Sequence, residues 1–108
     1  MIYTATIDGL KITDWESFHD HFQLVMGFFE GYGRNMDAWI DCMSDLHTNG
    51  EYKGLTKFNL NKGDIFIPRM DNTEAFQKRC PEILSDFVVC AAFVNKRSEF
   101  THFYLELR

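Results

Sequence analysis

Apolar and polar positions first alternate as in a strand. Ile2 to Ile7 carry β-branched and aromatic side chains at loosely alternating positions, and Asp8-Gly9 then supplies a turn. The period then changes. Trp15, Phe18, Phe22, Val25 and Met26 recur at helical spacing, behind a Thr13-Asp14-Trp15-Glu16 capping pattern and ahead of Gly27, which predicts a helix over about residues 14–26. Gly27 to Gly33 holds three glycines and three aromatics in neither period, so an irregular surface loop held by packing is expected. Asn35 is a good N-cap, and Met36, Trp39, Ile40 and Met43 follow at spacings of three and four, predicting a second helix to about Leu46.

Thr48 to Gly54 is polar and turn-rich. Leu55 to Leu60 and Asp64 to Pro68 flank Asn61-Lys62-Gly63, which suits a hairpin whose core arm carries Ile65, Phe66 and Ile67 and whose other arm is an added edge. Asp71-Asn72 can cap a short helix through Arg79, and Pro81 suits the first turn of another helix to about Arg97. Ile83, Leu84, Phe87, Val88, Ala91 and Val94 give that helix one apolar arc. Val89 and Phe93 lie on its other side, as in a helix buried on more than one face. Phe103 to Leu107 reads as a closing strand. Strands separated by helices predict a single α/β domain over residues 1–108, three-layered, with mutually parallel first, middle and last strands.

Composition narrows the function. Eleven basic against 16 acidic residues give a formal net charge of −5, which opposes direct binding of nucleic acid. The N-terminus lacks a signal-peptide pattern, no stretch is long enough to span a bilayer, and Cys42, Cys80 and Cys90 lack the pairing of a zinc or redox motif. These features fit a cytoplasmic protein with reduced, buried thiols and no cofactor. His19, His21, His47, His102 and the cysteines form no recognised catalytic set, and His19 and His21 point roughly 200° apart on a helix. Gly31-Tyr32-Gly33 is a weak nucleotide-loop signal that does not follow a strand. No enzyme is expected.

Asp37, Asp41 and Asp45 are four apart, so they stack along one face of the second helix, with Ser44 and Thr48 beside them and Trp39 and Met43 opposite. Each like-charged pair at that spacing costs about 0.2–0.5 kcal/mol, and Asp is itself a poor helix former. From Glu30 to Glu51 there are five acids against one base, Arg34, so this window carries −4 of the net −5. An ordinary solvated helix face is the plain reading of such a stripe.

Tyr32-Gly33-Arg34-Asn35-Met36-Asp37-Ala38-Trp39-Ile40-Asp41-Cys42 resembles the barstar family's run Tyr-Gly-x-Asn-Leu-Asp-Ala-Leu-Trp-Asp-Cys. Barstars are intracellular inhibitors of secreted ribonucleases. Ile7-Asp8-Gly9 is similar to the end of the family's first strand, and Phe93-Val94-Asn95 through Leu107 can be laid on its last helix and strand. Residues 48–63 look like an insertion relative to the short bacterial prototype. The resemblance implies a three-stranded parallel sheet packed by helices, no catalysis, and an enzyme active site plugged by the second helix and the loop before it.

Carried over position by position, Asp37 and Asp41 match the two helix acids, Asp41 standing where substrate phosphate would bind, and Gly33 and Asn35 match the loop framework. The partner-facing set so implied is Tyr32, Gly33, Asn35, Asp37, Ile40, Asp41, Ser44, Asp45 and Asn95. Gly31 stands where an interface Tyr is usual, Ile40 where Trp is usual, and Asn95 where a Glu is usual, which implies a changed target surface. The expected partner is a basic ribonuclease or nuclease toxin domain, the inhibitor being a monomer when free and serving in one setting as an immunity protein. The alternative is a module of the same fold that binds another basic protein or itself.

Overall fold

The computed structural model describes residues 1–46, 55–98 and 102–108. Strand β1 (Ile2–Asp8) runs into a single 3₁₀ turn, Gly9–Lys11, followed by α1 (Trp15–Met26) and α2 (Met36–Ser44). Strand β2 (Ile65–Asp71), α3 (Thr73–Arg79), α4 (Pro81–Arg97) and the short strands β3 (His102–Phe103) and β4 (Glu106–Leu107) complete the order. The polar stretch 48–54 and His47 lie outside the described residues.

All strand pairings are parallel. β1 pairs with β2 along its whole length, from Ile2 opposite Ile65 to Asp8 opposite Asp71. β3 and β4 pair with the other side of β2 in one constant register, Phe66 opposite Phe103 and Met70 opposite Leu107, so they are two pieces of a single third strand. The expected class, α/β with a three-stranded parallel sheet, is therefore the observed one.

Pro68 accounts for the break between the two pieces. The Tyr104 amide donates to the Phe66 carbonyl at 3.0 Å and the Arg108 amide to the Met70 carbonyl at 2.7 Å, so Phe66, Pro68 and Met70 turn their backbone groups toward the third strand. The next rung after Tyr104 requires an N–H at position 68, and proline has none. The ladder with β1 uses the odd-numbered residues of β2 and passes Pro68 undisturbed.

Alternation along the strands sends Ala5, Ile7, Phe66, Met70 and Phe103 into one core. Helix α1 packs on β1, α4 on β3, and α2 lies across α4. The layers thus run sheet, then α1 and α4, then α2. Phe87 joins them, its ring centroid 6.0 Å from Phe18, 5.4 Å from Phe22 and 5.8 Å from Trp39. The other face of the sheet carries exposed Ile2, Thr4 and Thr6 and half-buried Ile65, Ile67 and Arg69, and no helix among the described residues covers it.

Gly9 permits the turn after β1. A Cβ there would lie 2.9 Å from the Asp71 carbonyl oxygen and 3.0 Å from Phe76 Cβ, so only glycine lets the chain pass the end of β2 and α3.

Several expected details shift. The N-cap of α1 is Asp14 rather than Thr13: its carboxylate accepts from the Ser17 amide at 2.8 Å, and Ser17 Oγ accepts from the Asp14 amide at 3.0 Å. Asn72 precedes α3 in the left-handed region at φ 59° and makes no side-chain cap; its Nδ2 donates to Asp8 Oδ1 instead, at 3.0 Å.

The expected hairpin arm at 55–60 is not a strand. The Leu55 carbonyl accepts from the Phe29 amide at 3.0 Å, Lys57 donates to the Met26 carbonyl at 3.0 Å, and Leu60 donates to the Leu46 carbonyl at 2.8 Å. Its backbone is satisfied by the ends of α1 and α2, while both sides of β2 are already occupied. The turn itself is present: Gly63 takes φ 89°, and the Asp64 amide donates to the Asn61 carbonyl at 3.0 Å.

Candidate functional site

The loop before α2 begins where Gly27, at φ 64°, ends α1 in the left-handed cap that helices commonly adopt. Its three aromatics divide: Phe28 and Tyr32 are buried, their rings 4.6 Å apart, while Phe29 stays 41% exposed. The Tyr32 hydroxyl lies 2.6 Å from Nδ1 of His19, which is itself buried and stacked on Trp15 at 5.9 Å. Loss of solvent pushes the Tyr32 hydroxyl far above its ordinary pKa and holds the His19 imidazole below its own, so both are neutral at pH 7.

Arg34 holds the other end of the loop. It adopts φ 55°, and its guanidinium donates to Asp20 Oδ1 at 2.7 Å, to the Glu16 carbonyl at 3.1 Å and to Gln23 Oε1 at 3.3 Å, all on α1. The only base of the acidic window is thereby folded back and neutralised by an acid outside that window. Asn35 then starts α2, its Oδ1 accepting from the Ala38 amide at 2.8 Å and its Nδ2 donating to the Gly33 carbonyl at 3.4 Å. Gly33 is tight against the helix, since a Cβ there would stand 3.3 Å from Ala38 Cβ.

Helix α2 buries Trp39, Cys42 and Met43 and turns Asp37 and Asp41 to solvent. Burial pushes the Cys42 thiol up to about 11, with the Asp41 and Asp45 charges adding to the shift, so it is an inert core thiol. Several carboxylates elsewhere are paired, among them Asp20, Asp64, Asp71 and Glu106. Asp37 and Asp41 have no ion pair or hydrogen bond among the described residues.

Beside Asp41 opens a cavity of about 680 Å³, lined by Phe29, Gly31, Gly33, Ala38, Asp41, Cys42, Ser44, Asp45, Leu55 and Arg97. The loop, the acidic face of α2, Leu55 and the end of α4 meet there. Ser44 Oγ is buried with no hydrogen-bond partner among the described residues.

The family model described as Barstar (barnase inhibitor) matches residues 2–107. The chain belongs to the barstar family. No curated protein matches it significantly.

The structure brings Gly33, Asp41, Ser44 and Asp45 to one cavity, with Asp37 exposed a turn earlier on α2. Asn35 caps α2 and braces Gly33, as the N-cap and loop-framework expectation has it, and stays exposed. Two expected residues are placed differently. Tyr32 is only 5% exposed, so it supports the loop from within and offers no contact surface. Asn95 accepts from the Phe103 amide at 3.1 Å and lines a separate apolar groove with Val88, Ala92 and Leu105; Arg97 is the α4 residue at the cavity. Ile40 is half-buried against the core.

Phe29, Leu55 and Arg97 join the site without having been expected. Loop residues carry no period to separate Phe29 from its buried neighbours, and the strand-like composition of Leu55 to Leu60 points to the sheet. Trp39 and Met43 are core, as their spacing implied. Of the histidines, His19 supports Tyr32 and His21 Nε2 accepts from the Asp8 amide at 2.9 Å. No group of metal-ligating side chains forms among the described residues, and no described helix is long and apolar enough to cross a membrane.

Proposed function

We propose that this barstar inhibits a ribonuclease by docking the acidic face of α2 and the preceding loop into the enzyme's active site. Asp41, at the cavity, takes the place of a substrate phosphate among the enzyme's Arg and Lys side chains, and Asp37 extends the negative edge. The observation that carries this reading is that both acids lack ion-pair and hydrogen-bond partners among the described residues, while Arg34, the one base of the 30–51 window, is neutralised against α1. Like-charged neighbours on one helix face are mildly destabilising, so the arrangement favours an external cationic partner. No step of catalysis belongs to the inhibitor.

The setting that suits this activity is the reducing cytoplasm of the cell that makes or meets the nuclease, since Cys42, Cys80 and Cys90 are all free thiols. Immunity to a secreted or toxin nuclease is the corresponding role, with the inhibitor a monomer until it binds. Gly31, Ile40 and Asn95 depart from the family pattern, and Asn95 faces away from the cavity, so the target enzyme has its own surface.

Inhibition of barnase and of other basic ribonucleases, together with capture of partners by the wild-type chain and by Asp37→Ala/Asp41→Ala, tests the reading. The expected results are an inhibited ribonuclease, lost in the double variant, and an association rate that falls as salt screens the acidic face. Capture of a basic protein without nuclease activity, through the same acids, identifies the interaction-module alternative.

A further inference from the structure

Phe29 lies between two buried aromatics and is itself held out of the core. Its amide donates to the Leu55 carbonyl at 3.0 Å, and its carbonyl accepts from Gln23 Nε2 at 3.3 Å. With the backbone fixed on both sides, the ring stands at the surface. It also lies over Gly31: a Cβ at position 31 would come within 2.6 Å of Cε2, 3.2 Å of Cδ2 and 3.4 Å of Cζ. Gly31 does not have a positive φ, so a side chain there would meet the movable Phe29 ring and no backbone restriction. The ring thus covers Gly31 on the wall of the cavity that Asp41 also lines.

We infer that Phe29 is the aromatic anchor of the partner contact and that the cavity it walls takes an arginine side chain of the partner. This rests on the reading of α2 and its loop as the docking surface. A guanidinium is planar, so it can stack on the Phe29 ring while donating in its own plane to the Asp41 carboxylate. Lysine offers a compact charge without the plane and forfeits the stacking. Gly33, which has no side chain, lines the same cavity. Arg97 does not fill this role, because its guanidinium carbon sits 5.7 Å from the Phe93 ring on α4.

The test exchanges the ring between two positions. Phe29→Ala and Phe29→Leu remove it from an exposed site and leave the core intact. Phe29→Ala/Gly31→Tyr returns a ring to the same space from the position whose Cβ points into it. With barnase as the probe, Phe29→Ala should raise the dissociation constant by about 30-fold, the scale of an aromatic hot spot. Phe29→Leu should lose nearly as much, and the double variant should recover most of it. Phe29→Ala binding within about twofold of wild type overturns the assignment.

If the wild-type chain does not bind barnase, the ribonuclease reading fails for that enzyme, and the cavity is tested on its own. N-acetyl-arginine amide should then give saturable amide shifts at Phe29, Gly31 and Asp41 in the ¹⁵N-labelled protein. These should be lost in Phe29→Ala and weaker with the lysine analogue. No wild-type shifts, equal shifts from both cations, or shifts that survive in Phe29→Ala overturn the inference.

Discussion

The Tyr32 hydroxyl lies 2.6 Å from Nδ1 of His19, and this bond ties the loop before α2 to the middle of α1. Both residues are buried, so each depends on the other to satisfy a polar atom that water cannot reach. Tyr32→Phe keeps the ring packing on Phe28 and leaves His19 Nδ1 unpaired. Stability should fall by about 1–2 kcal/mol, the cost of stranding one buried polar group, read as a lower urea midpoint at unchanged slope. An unchanged midpoint would show that water replaces the hydroxyl.

The same burial makes stability depend on pH. His19 is held below the ordinary imidazole value of 6.5, first by loss of solvent and then by the Arg34 charge, with Asp20 opposing. His21 is lowered from the same value by loss of solvent, with the Asp8 charge opposing and Lys11 assisting. A lowered folded-state value means that the unfolded chain takes up protons first as pH falls. The histidine contribution is therefore whole above about pH 6.5 and is lost from there down to the lowered folded values. Urea midpoints should be level from about pH 8 to pH 7 and decline towards pH 5. A level profile throughout contradicts the burial of both rings.

The architecture was legible because its elements repeat: helical spacing located α1, α2 and α4, and β-branched runs located β1 and β2. What escaped lies where no period operates. Leu55 to Leu60 has strand composition, but hydrogen bonds to Met26, Phe29 and Leu46 decide its path, and those depend on where α1 and α2 end. Pro68 splits the third strand from the neighbouring strand β2, an effect invisible until that pairing is known. At the site, helix periodicity and the family motif found Asp37 and Asp41. The motif could not distinguish Tyr32, which supports the loop from inside, from Phe29, which stands outside it.

Ser44 separates stability from binding in a second way. Its Oγ is buried beside the cavity without a partner among the described residues, so the free protein bears the cost of desolvating it. Ser44→Ala removes that atom and should leave stability unchanged or raise it by up to about 1 kcal/mol. If a partner donor reaches the hydroxyl, the same variant weakens binding. Thermal melts and calorimetric titration of one preparation measure both effects; a marked loss of stability would mean that the hydroxyl is already satisfied in the free protein.

Asp37→Asn/Asp41→Asn should leave the fold almost untouched and still weaken target binding by several kcal/mol. Removing the repulsion between acids one turn apart returns about 0.2–0.5 kcal/mol, while losing the Asp37 charge in the first turn of α2 costs roughly 0.3–1 kcal/mol. Neither carboxylate has an internal partner among the described residues, so no further stabilising contact is lost. In the complex, asparagine keeps the volume and one acceptor but removes the charge, leaving the enzyme's Arg and Lys side chains desolvated and uncompensated. Losses of at least about 2 kcal/mol are usual at such charged hot spots, and the barnase–barstar pair is itself one of the systems on which that range rests. Urea denaturation and calorimetric titration of the double variant decide the matter together. Unfolding of the variant would make the two acids structural, and undiminished binding would move the docking surface away from α2.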